Sequence, residues 1–436
     1  MPPLDHALAW LDTHINLEAT AGKVEGLSLE RMRRLVELLG DPQGDYRVVH
    51  VTGTNGKGST SHLITRLLTA SGLRVGTYAS PHLEHVSERI RVDGEAIDHD
   101  VLADTLDHLR VVEAHLSDTP SWFELLTAAA LRYFADAAVD VAVVEVGKLG
   151  RYDATNVVHA DVAVCTNIAR DHTDGAPGWR RAIAWEKSGI VEPDSIVVLG
   201  DTNPEVVEVF ADTEHAELLL RGRDWGCDRN ELAVGGRLVD IRTPLGAIDE
   251  VFVSMHGAWQ GDNAAAALVA AEALLGALPG EDLVTEAFGG ANLHGRFEVV
   301  GHEPLVVIDA AHNPDGAAAA AETLATDFSA TGRTTLVVGM TTERDPVAML
   351  ESLGASSAEL VIATTAPSPR GLAATEIAKA AADGVDVEVI ASVPEAVDRA
   401  LALSGPGDVV FIAGSMYVAG AARMSLRGVV DALSAD

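Results

Sequence analysis

The stretch Val48-Val49-His50-Val51-Thr52-Gly53-Thr54-Asn55-Gly56-Lys57-Gly58-Ser59-Thr60 constrains the fold more than any other part of the chain. A β-branched run feeds a glycine-rich turn, and Leu63, Ile64, Leu67 and Leu68 follow at helical spacing. Strand, loop and helix in that order form the layout of a phosphate-binding loop. Glycines let backbone N–H groups turn inward around phosphate oxygens, Lys57 adds a point charge, and Ser59 offers a hydroxyl near a metal. The spacing departs from the usual pattern. Only two residues separate Gly53 from Gly56, and Gly58 stands between the lysine and Ser59. Taken alone, the stretch could also be a tight strand–helix turn.

The rest of the chain repeats the same alternation. Two helices precede the loop, the second carrying Leu29, Met32, Leu35, Leu38 and Leu39 and stopping near Gly40-Asp41-Pro42. Strands are expected at 74–78, 139–146, 161–166 and 196–199, with a hairpin returning through Asp93-Gly94 and helices across 99–137 and 183–188. Residues 216–254 read as a small antiparallel flap, and an alanine-rich helix from Asp262 to about Leu278 follows. After Gly289-Gly290 the pattern resets, with strands at 305–309, 335–339, 360–364, 385–390 and 409–413. The expected class is α/β: a P-loop-type, doubly wound, mostly parallel sheet domain over 1–291, and a smaller Rossmann-like α/β domain over 292–436.

Composition narrows the partners. The formal charge is −34, and lysine occurs only at 23, 57, 148, 187 and 379. With no basic stripe to hold a phosphate backbone, nucleic-acid binding is disfavoured. Acidic excess spread along the whole length fits solvation against high salt and so a salt-accumulating host; the alternative is a merely acidic mesophilic enzyme. No apolar run is long enough to span a bilayer, and the N-terminus lacks a basic region followed by an apolar core, so a cytoplasmic location is expected. Cys165 and Cys227 offer neither a disulfide framework nor a metal cluster, and Cys165 reads as a buried small hydrophobe.

Four polar features fall at the C-terminal ends of the first domain's strands: the phosphate loop, Ser80, Glu145 and His172. In an open parallel sheet those ends share one crevice, where ligands bind. A hydroxyl, a carboxylate and an imidazole beside a triphosphate fit Mg²⁺ ligation. Histidine is an unusual magnesium ligand, so His172 reads equally as a core or hydrogen-bonding residue. Glu145 alone would be a buried strand carboxylate needing a partner. Lys187 alone reads as a helical surface lysine.

The motifs in order are Gly53–Ser59, Ser80-Pro81-His82-Leu83, Glu145-Val146-Gly147, Arg151-Tyr152-Asp153-Ala154-Thr155-Asn156, Asp171-His172-Thr173, Glu186-Lys187-Ser188-Gly189-Ile190 and Asp309-Ala310-Ala311-His312-Asn313-Pro314. Together they resemble the folylpolyglutamate synthase/dihydrofolate synthase family of the Mur-ligase superfamily across essentially the whole chain. The resemblance implies an ATP-dependent amide ligase that joins L-glutamate to dihydropteroate, to reduced folates, or to both, through an acyl phosphate. It implies ATP and Mg²⁺ as cofactors, small-molecule substrates and a monomer. Gly53, Thr54, Asn55, Gly56, Lys57, Gly58 and Ser59 would hold the nucleotide with Asn263, Arg296 and Asp309, and Ser80, Glu145 and His172 would bind the metal. Lys187 would match a lysine carbamylated by CO₂. With Lys57 and His172 it makes up the implied catalytic set. Gly26, Leu27, Ser28, Leu29, Trp122, Phe123, Glu124, Tyr152, Asp153 and Ala154 would line the pterin side, and His312 would sit at the domain interface.

Two segments depart from that family. Lys148-Leu149-Gly150 stands where Leu-Gly-Gly is usual, and Gly175-Ala176-Pro177-Gly178 replaces a leucine–glycine turn. Both bear on acceptor identity. The alternatives are another Mur-type ligase with a different carboxylate acceptor, and a nucleotide-binding scaffold without catalysis. The second is opposed by intact Lys57, Glu145, His172 and Lys187.

Overall fold

The computed structural model describes residues 3–16, 28–170, 176–329 and 332–427. These fall into two compact units. One runs to Ser254 and resumes over Trp259–Ala291; the other comprises Met255–Ala258 and the chain from Asn292 onward.

The first unit is built on an eight-stranded sheet. Its strands are β1 Arg47–Thr52, β2 Val75–Tyr78, β3 Ile90–Val92, β4 Glu95–Ala96, β5 Val141–Glu145, β6 Val162–Cys165, β7 Ile196–Leu199 and β8 Glu217–Leu220. They lie in the order β4-β3-β2-β5-β1-β6-β7-β8, all parallel except the β3–β4 edge. Burial on both faces explains the near-continuous apolar runs of the central strands. Val51 pairs with Glu145 and Thr52 with Cys165, so the C-terminal ends of β5, β1 and β6 are level.

The helices of this unit are α1 Pro3–Leu11, α2 Glu30–Leu38, α3 Lys57–Ala70, α4 His99–Glu113, α5 Trp122–Asp136, α6 Trp179–Lys187, α7 Pro204–Asp212, α8 Trp259–Leu275 and α9 Glu281–Gly289. Leu11, Met32, Leu35, Leu106, Leu125 and Phe134 pack with Tyr78, Ile90 and Val144 in one core, which α1, α2, α4 and α5 close. α5 starts where its caps dictate. Ser121 Oγ accepts from Glu124 N at 3.3 Å, and Glu124 Oε2 accepts from Ser121 N at 2.7 Å. α3 lies beside α8, whose buried Ala264–Ala267 let the backbones approach closely. Beyond α8 sits an antiparallel sheet of β9 Gly226–Ala233, β10 Gly236–Thr243 and β11 Gly246–Val253.

Several boundaries differ from the sequence expectation. Residues 217–220 do not belong to the flap: β8 pairs parallel with β7 as the edge of the main sheet. The run Leu218-Leu219-Leu220 does not alternate, which suits a parallel edge and not a half-solvated hairpin. Buried Trp225 pins the turn that follows, its Nε1 donating to Leu219 O at 3.0 Å. α8 begins at Trp259 and ends at Leu275, before Gly276 in the left-handed region at φ +70°. α6 starts at Trp179, and α7, α9 and the strand β12 described next were not anticipated.

The second unit carries β12 Glu298–His302, β13 Leu305–Ile308, β14 Thr334–Val338, β15 Leu360–Ala363, β16 Val387–Val389 and β17 Val409–Ala413. Their order is β12-β13-β17-β14-β15-β16, parallel but for β12. The flanking helices are α10 Pro314–Asp327, α11 Pro346–Ser352, α12 Ala374–Ala380, α13 Val393–Leu403 and α14 Met416–Ser425. Its core gathers Phe297, Leu336, Met349, Ile377 and Phe411. Among the described residues no helix is long and apolar enough to cross a membrane.

Candidate active site

The loop after β1 is a backbone cradle that only glycine permits. Gly53 has φ +139°, and a Cβ there would stand 1.9 Å from Thr166 Oγ1. Gly56 has φ +82°, and its Cβ would stand 2.5 Å from Asn263 Oδ1. The loop is strapped to the segment after β6. Thr54 N donates to Asn167 O at 2.8 Å, Asn55 N to Asn167 Oδ1 at 3.1 Å, and Asn55 O accepts from Thr166 Oγ1 at 2.6 Å and Asn167 Nδ2 at 3.0 Å. Lys57 Nζ donates to Thr54 O at 3.2 Å across the turn. From α8, Asn263 Oδ1 accepts from Thr60 Oγ1 at 3.4 Å, while its Nδ2 donates to Gln260 Oε1 at 2.9 Å. Thr166 and Asn167 were not singled out from sequence; a Thr-Asn pair closing a buried strand next to β1 was the available signal.

Three further candidates gather at the same end of the sheet. Glu145 ends β5 and is buried, and Ser80 N, after β2, donates to its Oε2 at 3.4 Å. Lys187, the last residue of α6, is only 6% exposed, which corrects its reading as a surface lysine. Gly150 explains that burial: a Cβ there would stand 2.7 Å from Lys187 Cα, so the turn after β5 lies against the end of α6. Burial pushes the Cys165 thiol up to about 12, and Lys187 and Lys57 both partly oppose the rise, so both lysines lie near the end of β6.

The turn 147–155 is organised by Asp153. Its carboxylate accepts from Gly147 N, Lys148 N, Leu149 N and Thr155 N between 3.0 and 3.3 Å, and from Thr155 Oγ1 at 2.7 Å. Behind it lies His50 of β1, fully buried, its Nε2 3.0 Å from Thr155 Oγ1. Burial holds this imidazole down at about 4 despite the nearby Asp153 charge.

The pterin-side candidates separate once their side chains are placed. Trp122 is buried in the core, with Nε1 donating to Asp12 Oδ1 at 3.1 Å, and Glu124 caps α5 and accepts from Arg31 Nε at 2.8 Å. Phe123 is the member that reaches the turn after Glu145: a Cβ on Gly147 would stand 2.5 Å from its Cζ, and its ring lies 6.0 Å from that of Tyr78. Tyr152 is exposed, Ala154 buried, and Asp153 is committed to its turn. Ser28 is exposed and Leu29 buried at the start of α2. Gly26, Leu27 and His172 lie outside the described residues.

In the second unit, Asp309 follows β13 and accepts from Phe297 N at 2.8 Å and Ala311 N at 2.7 Å. Burial raises its carboxyl above the ordinary range, opposed by the Arg296 charge. His312 stands before α10 with Nδ1 3.1 Å from Ala310 O, and Asn313 caps that helix through Gly316 N at 2.8 Å.

The chemistry of these donors fits a nucleotide and a hard cation. The cradle at Gly53 and Gly56, Lys57 and the first turn of α3 suit phosphate oxygens. The buried Ser80 hydroxyl and Glu145 carboxylate are oxygen donors of the kind a divalent ion takes. Among the described residues no cluster of three His, Cys, Asp or Glu exists. A metal here would therefore take much of its shell from phosphate and water, as Mg²⁺ ordinarily does.

Residues 51–271 match the Mur ligase middle domain, and residues 295–416 match the Mur ligase, glutamate ligase domain. The dihydrofolate synthase/folylpolyglutamate synthase of Mycobacterium tuberculosis is 37% identical over 440 residues, spanning 91% of this chain and 89% of that protein. The chain belongs to the dihydrofolate synthase/folylpolyglutamate synthase family. Among solved members, Mycobacterium tuberculosis folylpolyglutamate synthase complexed with ADP superposes with a TM-score of 0.90 at 34% identity, covering 97% of this chain and 98% of that one. A bifunctional folylpolyglutamate synthase/dihydrofolate synthase from Yersinia pestis, complexed with AMPPNP and Mn ion, gives 0.84 at 29% identity, with 98% of each chain covered. Membership makes this chain an ATP-dependent ligase of the Mur type that uses a divalent metal, and the cradle of β1 and α3 falls within the stretch that matches the middle domain.

Proposed function

We propose that the protein joins L-glutamate by an amide bond to dihydropteroate, to reduced folates, or to both, in folate synthesis and polyglutamylation. The observation that carries this reading is one unit joining a phosphate loop to a buried Glu145 and a buried Lys187, in a chain whose relatives are named for folate glutamylation. A carboxylate is a poor electrophile, so the acceptor's carboxylate oxygen first attacks the γ-phosphorus of ATP and ADP leaves. The amine of glutamate then adds to the acyl carbon of the resulting acyl phosphate, loses a proton, and inorganic phosphate departs. The protein contributes positioning and charge neutralisation.

In this reading Gly53–Ser59, Asn263, Arg296 and Asp309 hold ATP, and Ser80, Glu145 and His172 hold the metal, which when bound neutralises phosphate charge. Lys187 reacts through its neutral amine with CO₂, forming an N–C bond and releasing a proton, so that a cation becomes a carbamate anion. Lys187 is buried, so the carbamate would form in a pocket screened from bulk water. Phe123 and the 147–154 turn line the acceptor side.

The test offers dihydropteroate, tetrahydrofolate and a cell-wall peptide precursor with ATP, Mg²⁺ and glutamate. ADP release should require both glutamate and a pterin acceptor, and absence of any glutamylated pterin overturns the reading. With ¹⁸O in the acceptor carboxylate, one labelled oxygen should appear in the released phosphate; unlabelled phosphate removes the acyl phosphate.

A further inference from the structure

The turn between Glu145 and α6, placed on the acceptor side above, carries a cationic, aromatic lip whose charges have been given no role. Its backbone is fixed, since Gly147, Lys148 and Leu149 all donate to Asp153, while the Lys148 side chain is exposed. Arg151 is locked to the end of α6: its N donates to Glu186 O at 2.8 Å and its Nη2 to Trp185 O at 3.3 Å. Its guanidinium lies 4.3 Å over the Trp185 ring, and its buried Nε has no hydrogen-bond partner among the described residues. Trp185 is 51% exposed and Tyr152, next along the turn, is 37% exposed. The lip adjoins the site directly, because Gly150 lies against Lys187.

The charge pattern gives the lip a purpose. Lysine supplies only five of the 31 basic residues, and Lys57, Lys148 and Lys187 all belong to this end of the sheet. Each glutamate added brings two carboxylates and consumes one in the new amide, so the acceptor gains one negative charge per cycle. A protein of formal charge −34 repels such an acceptor more strongly at each step. Cations on the turn that lies against Lys187 would offset that repulsion at contact range.

We propose that Lys148 and Arg151, the latter backed by Trp185, bind the carboxylates of glutamyl residues already present on the acceptor and so favour elongated acceptors. This rests on the glutamate-ligase reading above. The test compares kcat/KM for folate acceptors carrying one and three glutamates. In Lys148→Met and in Arg151→Gln the triglutamate-to-monoglutamate ratio should fall about tenfold, mostly through KM, the size expected for losing a charge-assisted contact. Lys148→Arg should keep the ratio. Lys148 is exposed, so its substitution tests the idea even where a change at Arg151 impairs folding. A ratio equal to that of the parent in Lys148→Met overturns the proposal, whether the absolute rates hold or fall equally for both acceptors. A parent enzyme that glutamylates neither acceptor overturns the function on which it rests. A parent that elongates while the variants keep its ratio removes only this inference.

Discussion

Two residues, Lys187 and His50, show what burial does to a titratable side chain. Lys187 is 6% exposed at the end of α6, and in the proposed function its amine carries a carbamate. Activity should therefore fall in bicarbonate-free buffer and return when bicarbonate is added, and Lys187→Met should lose at least about a hundredfold in kcat, as for removal of a preorganised charge. Bicarbonate-independent turnover would remove the carbamate. His50 is the second case. Its ordinary value of 6.5 is held at about 4 by burial. The unfolded chain takes a proton near 6.5 that the native state refuses until about 4, so stability is lost as pH falls through that window. The loss is about 3 kcal/mol at most. Urea unfolding of His50→Gln should show a shallower fall over the same range; equal slopes would show that His50 does not set it.

At the scale of elements, the site depends on how loops are tied to strands. The 147–155 turn is held by five hydrogen bonds to the Asp153 carboxylate. Asp153→Ala would leave several of those donors unsatisfied, costing about 2–4 kcal/mol. Thermal unfolding should register that loss, and kcat should fall with it because Gly150 and Lys187 rest against the same turn. A variant with the parent's melting temperature would show that the turn stands without its acceptor. The phosphate loop is tied likewise to Thr166 and Asn167, so Gly53→Ala, which drives a Cβ to within 1.9 Å of Thr166 Oγ1, should abolish nucleotide binding measured by calorimetry. Retained ADP affinity would mean that the strap yields.

For the whole molecule the dominant quantity is charge. Acidic residues number 65 against 31 basic ones, and the ion pairs formed are mostly at the surface, where each contributes little. Self-repulsion at low salt should be screened as ionic strength rises. The melting temperature is therefore expected to climb between about 0.1 and 2 M KCl, by more than for a protein of balanced charge. A flat profile would remove the salt-adapted reading. The two units carry separate hydrophobic cores, one centred on Tyr78 and Phe134, the other on Phe411 and Met349.

Local features were legible before any coordinates. Glycine spacing from Gly53 to Gly58 and the period of β1 and α3 follow from backbone sterics and short-range hydrogen bonds, which travel with the sequence itself. So do the repeated strand–helix alternation and the charge excess. What the chain by itself left open was decided by partners distant along it. Whether 217–220 edges the main sheet or joins the flap depends on β7. Whether Lys187 is solvated depends on Gly150, and whether Trp122 or Phe123 lies against the turn after Glu145 depends on which neighbour, Asp12 or Gly147, each one meets. Sequence by itself therefore determined that a glycine turn would join β1 to α3, and where. Only the tertiary structure decided which side chains surround it, because burial is a property of long-range packing and not of residue type.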